Sequence, residues 1–94
     1  MKVRITYSDQ QVDIDQEFSG ATADAVVGAM QKEVAGKLGF AIRLFVNTLS
    51  PTQFAQEVVR RYNQTTSSSL PVPGSCLEFI RLGEREGIVK VTQP

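Results

Sequence analysis

The side chains able to do chemistry are few, and their types narrow the field at once. Histidine is absent, which removes the usual general base and every histidine-bearing metal site. With Cys76 the single cysteine, neither a Ser-His-Asp nor a Cys-His arrangement can be built, and thiolate metal sites within one chain are gone too. No GxGxxG, GxxxxGK[ST] or HExxH occurs. Asp13, Asp15 and Glu17 recur at alternate positions and could stand on one strand face, where paired carboxylates do acid-base work. The basic strand that precedes them explains them instead as a solvated, charge-paired surface. Cys76 opens an apolar stretch, so it is expected to be a small buried hydrophobe and not a reactive thiol. No cofactor and no metal are expected, and catalysis is not the favoured role.

Arg43, Arg60 and Arg61, with Tyr62 beside them, form the one basic grouping, and Arg81 and Arg85 join it if the fold brings them near. Read plainly, it is a solvated helix face whose charges pair with Glu57. Read functionally, it is an anion or RNA contact with Tyr62 free to stack on a base. The formal net charge of zero argues against a strong pull toward nucleic acid or an anionic membrane. The balance is uneven only in detail: residues 1–42 carry four cations against six carboxylates, residues 43–94 six against four.

These side chains need elements to hold them. The longest single-period segment runs from Thr22 to Leu38. Ala23, Val26, Val27, Met30, Val34 and Leu38 fall within one third of a helix circumference. Thr22 has the N-cap residue type, Asp24 suits the positive end of the helix, and Gly39 is placed to end it in a left-handed cap. The opposite side, with Ala25, Gly28, Ala29, Ala35 and Gly36, is smooth. Two mid-helix glycines each cost about 0.5–1 kcal/mol, which a close contact through Gly28 and Gly36 would offset. Such a contact could come from the chain's own second helix, from a second copy or from another protein.

Met1–Phe18 has period two, interrupted by the polar Ser8-Asp9-Gln10-Gln11, and predicts a β-hairpin. With Tyr7 opposite Val12, Ile5 faces Ile14 and Val3 faces Gln16. Lys2 then meets Glu17 and Arg4 meets Asp15 on the solvent side. Phe40–Val46 alternates and is rich in β-formers, so a strand is expected. A helix from Phe40 to Leu49 competes, with Ala41, Leu44, Phe45, Thr48 and Leu49 on one stripe. Ser50-Pro51-Thr52-Gln53 announces a helix through an N-cap, a proline at the first position and a capping box. That helix continues through Phe54, Val58 and Tyr62, gains a Glu57–Arg61 pair, and ends near Tyr62 or Asn63. Residues 63–75 read as a flexible loop that is either mobile or functional. Cys76–Leu82 and Ile88–Thr92 read as strands of a second hairpin joined by Gly83–Gly87. Its second face, Ile80, Leu82 and Ile88, is apolar and implies a covering element or a partner chain.

The segments MKVRITYSD, QQVDIDQEF, TADAVVGAMQKEVAGKLG and FAIRLFVN, in that order, resemble the opening of a β-grasp, ubiquitin-like fold. The resemblance covers half the chain and implies a hairpin, a packed helix and a following strand. It carries no activity, because the ending VTQP lacks the paired glycines of conjugated or sulfur-carrying members.

The expectation is therefore one α+β domain over residues 1–94, of order ββαβαββ, an antiparallel sheet packed by two helices. No run nears 18 apolar residues, so no membrane segment is expected, and a soluble, cytoplasmic protein is. The expected role is a non-catalytic protein-interaction module, self-associating or bound to another protein. A weak anion or RNA binder through the arginines is the alternative.

Overall fold

In the computed structural model the structure describes residues 1–8, 13–37 and 39–94, with the side chain of residue 40 outside the description. The elements are strands β1 (Lys2–Ser8) and β2 (Asp13–Ser19), helices α1 (Ala23–Lys37), α2 (Phe40–Asn47), α3 (Pro51–Thr66) and α4 (Cys76–Arg85), and strand β3 (Val89–Gln93). The three strands form an antiparallel sheet in the order β2-β1-β3. Its period-two pattern sorts the side chains. Val3, Ile5, Ile14, Phe18 and Val89 are buried under the helices, while Arg4, Thr6, Asp13, Asp15, Glu17 and Lys90 are exposed on the other face. The α+β class with an antiparallel sheet packed by helices is thus what the chain adopts.

The hairpin forms, but two residues out of the expected register. Tyr7 lies opposite Ile14, Ile5 opposite Gln16, and Val3 opposite Phe18. A two-residue slip keeps every side chain on its own face, and this one sets Phe18 against Val3, joining two fully or nearly fully buried side chains. The expected ion pairs survive on the diagonal: Lys2 reaches Glu17 at 3.3 Å and Arg4 reaches Asp15 at 2.7 Å. The connecting turn, including Val12, lies outside the described residues.

Helix α1 starts as its cap predicts, with the amide of Ala25 donating to the Thr22 hydroxyl at 3.2 Å. Its buried set is wider than one stripe. Val26, Val27 and Met30 are joined by Gln31 and by Ala35, which belongs to the supposedly smooth back. The helix packs on β2 on one side and on α2, α3 and α4 on others, so it has little true back. Leu38 lies outside the described residues, and Gly39 is extended at φ −64°, serving as the residue before α2 and not as a left-handed cap.

Two expected strands are helices. Residues 40–47 form α2, the competing reading, and the likeness to a β-grasp opening ends there. Residues 76–85 form α4, so there is no terminal hairpin, and β3 pairs with β1 instead. Ser75 explains α4: its hydroxyl accepts from the amide of Glu78 at 3.1 Å, a cap in an S-x-x-E setting that the alternation of apolar residues masked. In helical spacing Cys76, Phe79 and Ile80 share the buried side.

Helix α3 carries the predicted capping box in full. The amide of Gln53 donates to the Ser50 hydroxyl at 3.1 Å and the amide of Ser50 donates to the Gln53 side chain at 2.9 Å. It runs past Asn63 to Thr66 before Ser67 turns left-handed at φ 54°. The loop that follows is tied back. The Asn63 side chain donates to the carbonyl of Leu70 and accepts from its amide, and Gln56 donates to the carbonyl of Pro73. Among the described residues no helix is long and apolar enough to cross a membrane.

Candidate interaction surface

Helix α2 has an unusual balance of sides. Its sequence, FAIRLFVN, is apolar nearly all round, and an eight-residue helix on a small domain cannot bury every side at once. Val46 is its one buried residue among those described. Ile42, Leu44 and Phe45 are 50, 52 and 57% exposed. Besides Val46, a polar contact holds the helix: Gln31, buried in α1, donates its amide to the carbonyl oxygens of Val46 at 2.7 Å and Leu49 at 2.8 Å. The Val46 oxygen, in the last turn of α2, also accepts from the Leu49 amide at 3.2 Å, and the Leu49 oxygen lies just beyond the helix.

Beside α2 opens a cleft of about 410 Å³. The sheet supplies Tyr7 and Ile14 to its wall, α1 supplies Met30 and Val34, and Ile42 and Phe45 of α2 line it from the side that is exposed. Helix α3 contributes Val58 and Tyr62 together with the exposed Arg60 and Arg61, so the cleft is mostly apolar with charged side chains among its lining. Apolar clefts with few polar groups in this size range are the usual form of a binding site.

The expected arginine cluster is divided by the fold. Arg60 is ion-paired with Glu57, in place of the expected Glu57–Arg61 pair. Arg61 is exposed, borders the cleft and makes no ion pair among the described residues. Arg43 is exposed on α2 but is not one of the residues lining the cleft. Arg81 and Arg85 belong to a different, shallow groove shared with Glu78, Glu84 and Pro71–Pro73. Tyr62 is half-buried and its ring lies 6.1 Å from that of Tyr7, tilted by 52°. That packing occupies the ring expected to stack on a base.

The expected apolar interface residues are used internally. Ile80 and Leu82, 1 and 6% exposed, are core residues of α4, and Ile88 packs against the same core. They are corrected from a partner-facing sheet side to the domain's own interior. Gly28 faces α3, where an added Cβ would meet Pro51 at 4.0 Å, whereas Gly36 faces open space. The close contact imagined through both glycines is thus an ordinary packing distance at one and none at the other.

Asp13, Asp15 and Glu17 stand exposed on β2, with Asp15 and Glu17 engaged by Arg4 and Lys2. Cys76 is fully buried. Burial pushes its thiol above the ordinary value of 9.0, against the lowering effect of a contact with the Thr52 hydroxyl at 3.7 Å, and nearby Asp24 raises it further. Among the described residues no group of three or more His, Cys, Asp or Glu side chains is gathered as a metal would need. The surface that sequence reasoning missed is α2 itself, and the legible signal was an apolar stripe on two sides of one short helical reading.

Compared with known protein families, curated proteins and solved structures, the chain matches none.

Proposed function

We propose that this protein is a small non-catalytic interaction module that binds another protein through α2 and the cleft beside it. The observation that supports this reading most is the exposure of Ile42 and Phe45 on one side of α2, where both line the apolar cleft. Isolated surface apolar residues need no explanation, but a contiguous group rimmed by charge is the usual mark of a contact surface. Burying Ile42 and Phe45 against a partner would supply the apolar centre that interface hot spots have, with Arg60 and Arg61 on the rim.

The arginine reading, an anion or RNA contact, has less support, because Glu57 neutralises Arg60 and Tyr7 occupies Tyr62. A cytoplasmic setting belongs to the same proposal and is supported by a lone thiol kept buried and unpaired.

The test is site-specific photo-crosslinking in the native source. A photoreactive residue at Phe45 is expected to capture one distinct protein, and the same probe at Thr6 on the polar sheet face is expected to capture none. Adding Ile42→Asp should abolish the adduct. Equal capture at both positions, or none at Phe45, overturns the reading; an adduct between two copies of the chain replaces it with self-association.

A further inference from the structure

We infer that the segment received by the cleft is an amphipathic α-helix of the partner, bearing a carboxylate that meets Arg61 and a cation that meets Glu86; this rests on the proposal that α2 and the cleft are the contact surface. The shape argument comes from spacing. Ile42 and Phe45 on α2 are three residues apart, and Val58, Arg61 and Tyr62 on α3 stand at i, i+3 and i+4, all lining the cleft. Side chains at those spacings form ridges that repeat once per helical turn. A helical occupant presents side chains at the same repeat of about 5.4 Å, which an extended strand, with its side chains alternating every residue, does not. A helix laid in an apolar groove is a recurring mode of peptide recognition, read as anchors at i, i+3 or i+4 and i+7.

The charge argument comes from pairing. Four charged residues line the cleft: Glu57, Arg60, Arg61 and Glu86. Glu57 and Arg60 satisfy one another. Arg61 and Glu86 are exposed and make no ion pair among the described residues, so the cleft offers one open charge of each sign. A planar guanidinium favours a carboxylate held in its fork, and Glu86 favours a lysine or arginine. RNA would bring only negative charge to a cleft with no net charge, and an anionic amphiphile would leave Glu86 without a complement.

The experiment is selection of displayed random peptides, about four helical turns long, on the immobilised full-length chain. Binders that also hold the Phe45→Glu variant are removed. Enriched peptides are expected to show apolar residues at helical spacing with at least one Asp or Glu and one Lys or Arg. Arg61→Glu should weaken them about tenfold, and reversing the peptide's carboxylate to lysine should restore binding to that variant. Far-UV circular dichroism and melting confirm that each variant stays folded, as exposure of Phe45 and Arg61 implies. Phe45-dependent peptides with period-two or proline-rich patterns, or indifferent to Arg61→Glu, overturn the partner chemistry while leaving the contact surface standing. Failure to enrich any Phe45-dependent peptide overturns both. Competition by an RNA oligomer or by laurate, with no helical consensus, assigns the cleft to that class and also overturns the inference.

Discussion

Gln31 and Val46 are joined across 2.7 Å by the side-chain amide of one and the backbone carbonyl of the other, in the buried space between α1 and α2. The same amide reaches Leu49 at 2.8 Å. One polar side chain on the central helix thereby fastens a helix whose apolar residues mostly face outward, and it fixes where Ile42 and Phe45 stand relative to the cleft.

Gln31→Ala should therefore cost about 1–3 kcal/mol, since the Leu49 carbonyl loses its side-chain donor and the Val46 carbonyl is left with only the Leu49 amide at 3.2 Å. Urea unfolding measures the loss. Hydrogen exchange should accelerate in α2 more than in α3 or the sheet, because among the described residues Val46 alone is buried on α2. Uniform acceleration across the domain would contradict the fastening role.

Cys76 makes a prediction in the alkaline range. Its folded-state thiol loses its proton only above the ordinary 9.0, because burial disfavours the thiolate. The stability tied to the protonated thiol is thus complete below pH 9 and is lost as pH rises through the folded value. Melting temperature should fall more steeply above pH 9 for the native chain than for Cys76→Ala. Below that pH, a thiol reagent should label the folded protein far more slowly than the unfolded one.

Two helical glycines should respond in opposite senses to alanine. At Gly36 nothing stands within 4 Å of an added Cβ, so Gly36→Ala is expected to raise stability by about 0.5–1 kcal/mol through helix propensity alone. At Gly83 an added Cβ would sit within 2.4 Å of a Val89 methyl carbon and 3.1 Å of its Cβ. Val89 is a buried residue of β3, so Gly83→Ala must displace the Val89 side chain or α4 and is expected to lower the melting temperature. Paired thermal melts decide both.

The caps of α3 and α4 should matter alike. Ser50→Ala and Ser75→Ala each remove a hydroxyl that accepts from an orphan first-turn amide, at 3.1 Å in both helices. Each is expected to cost about 1 kcal/mol, and substitution to Asp should recover most of it. Chemical denaturation of the four variants measures the effect; an unchanged Ser75→Ala protein would show that α4 depends on packing alone.

How far the sequence could be read divides along physical lines. Signals carried by a few neighbouring residues were legible: the Thr22 cap, the Ser50–Gln53 capping box and the alternation of the first two strands were all set by local chemistry. Segments with two valid local patterns were not. Cys76–Leu82 alternates like a strand and also carries a helical stripe, and Phe40–Val46 does the same; the competition was settled by what each could pack against. The S-x-x-E at Ser75 was the one local clue to α4 that alternation hid.

The candidate surface shows the same division. Sequence alone determined that the chain would make an α+β domain without histidine chemistry, because composition and periodicity are properties of the residues themselves. Only the tertiary structure decided that Ile80 and Leu82 go inside while Ile42, Leu44 and Phe45 remain in water. All five are equally apolar, and β1 has two sides for pairing strands, filled by β2 and β3. With both taken, α4 covers the sheet with its apolar side, and α2 is left with more apolar surface than the domain has interior to receive.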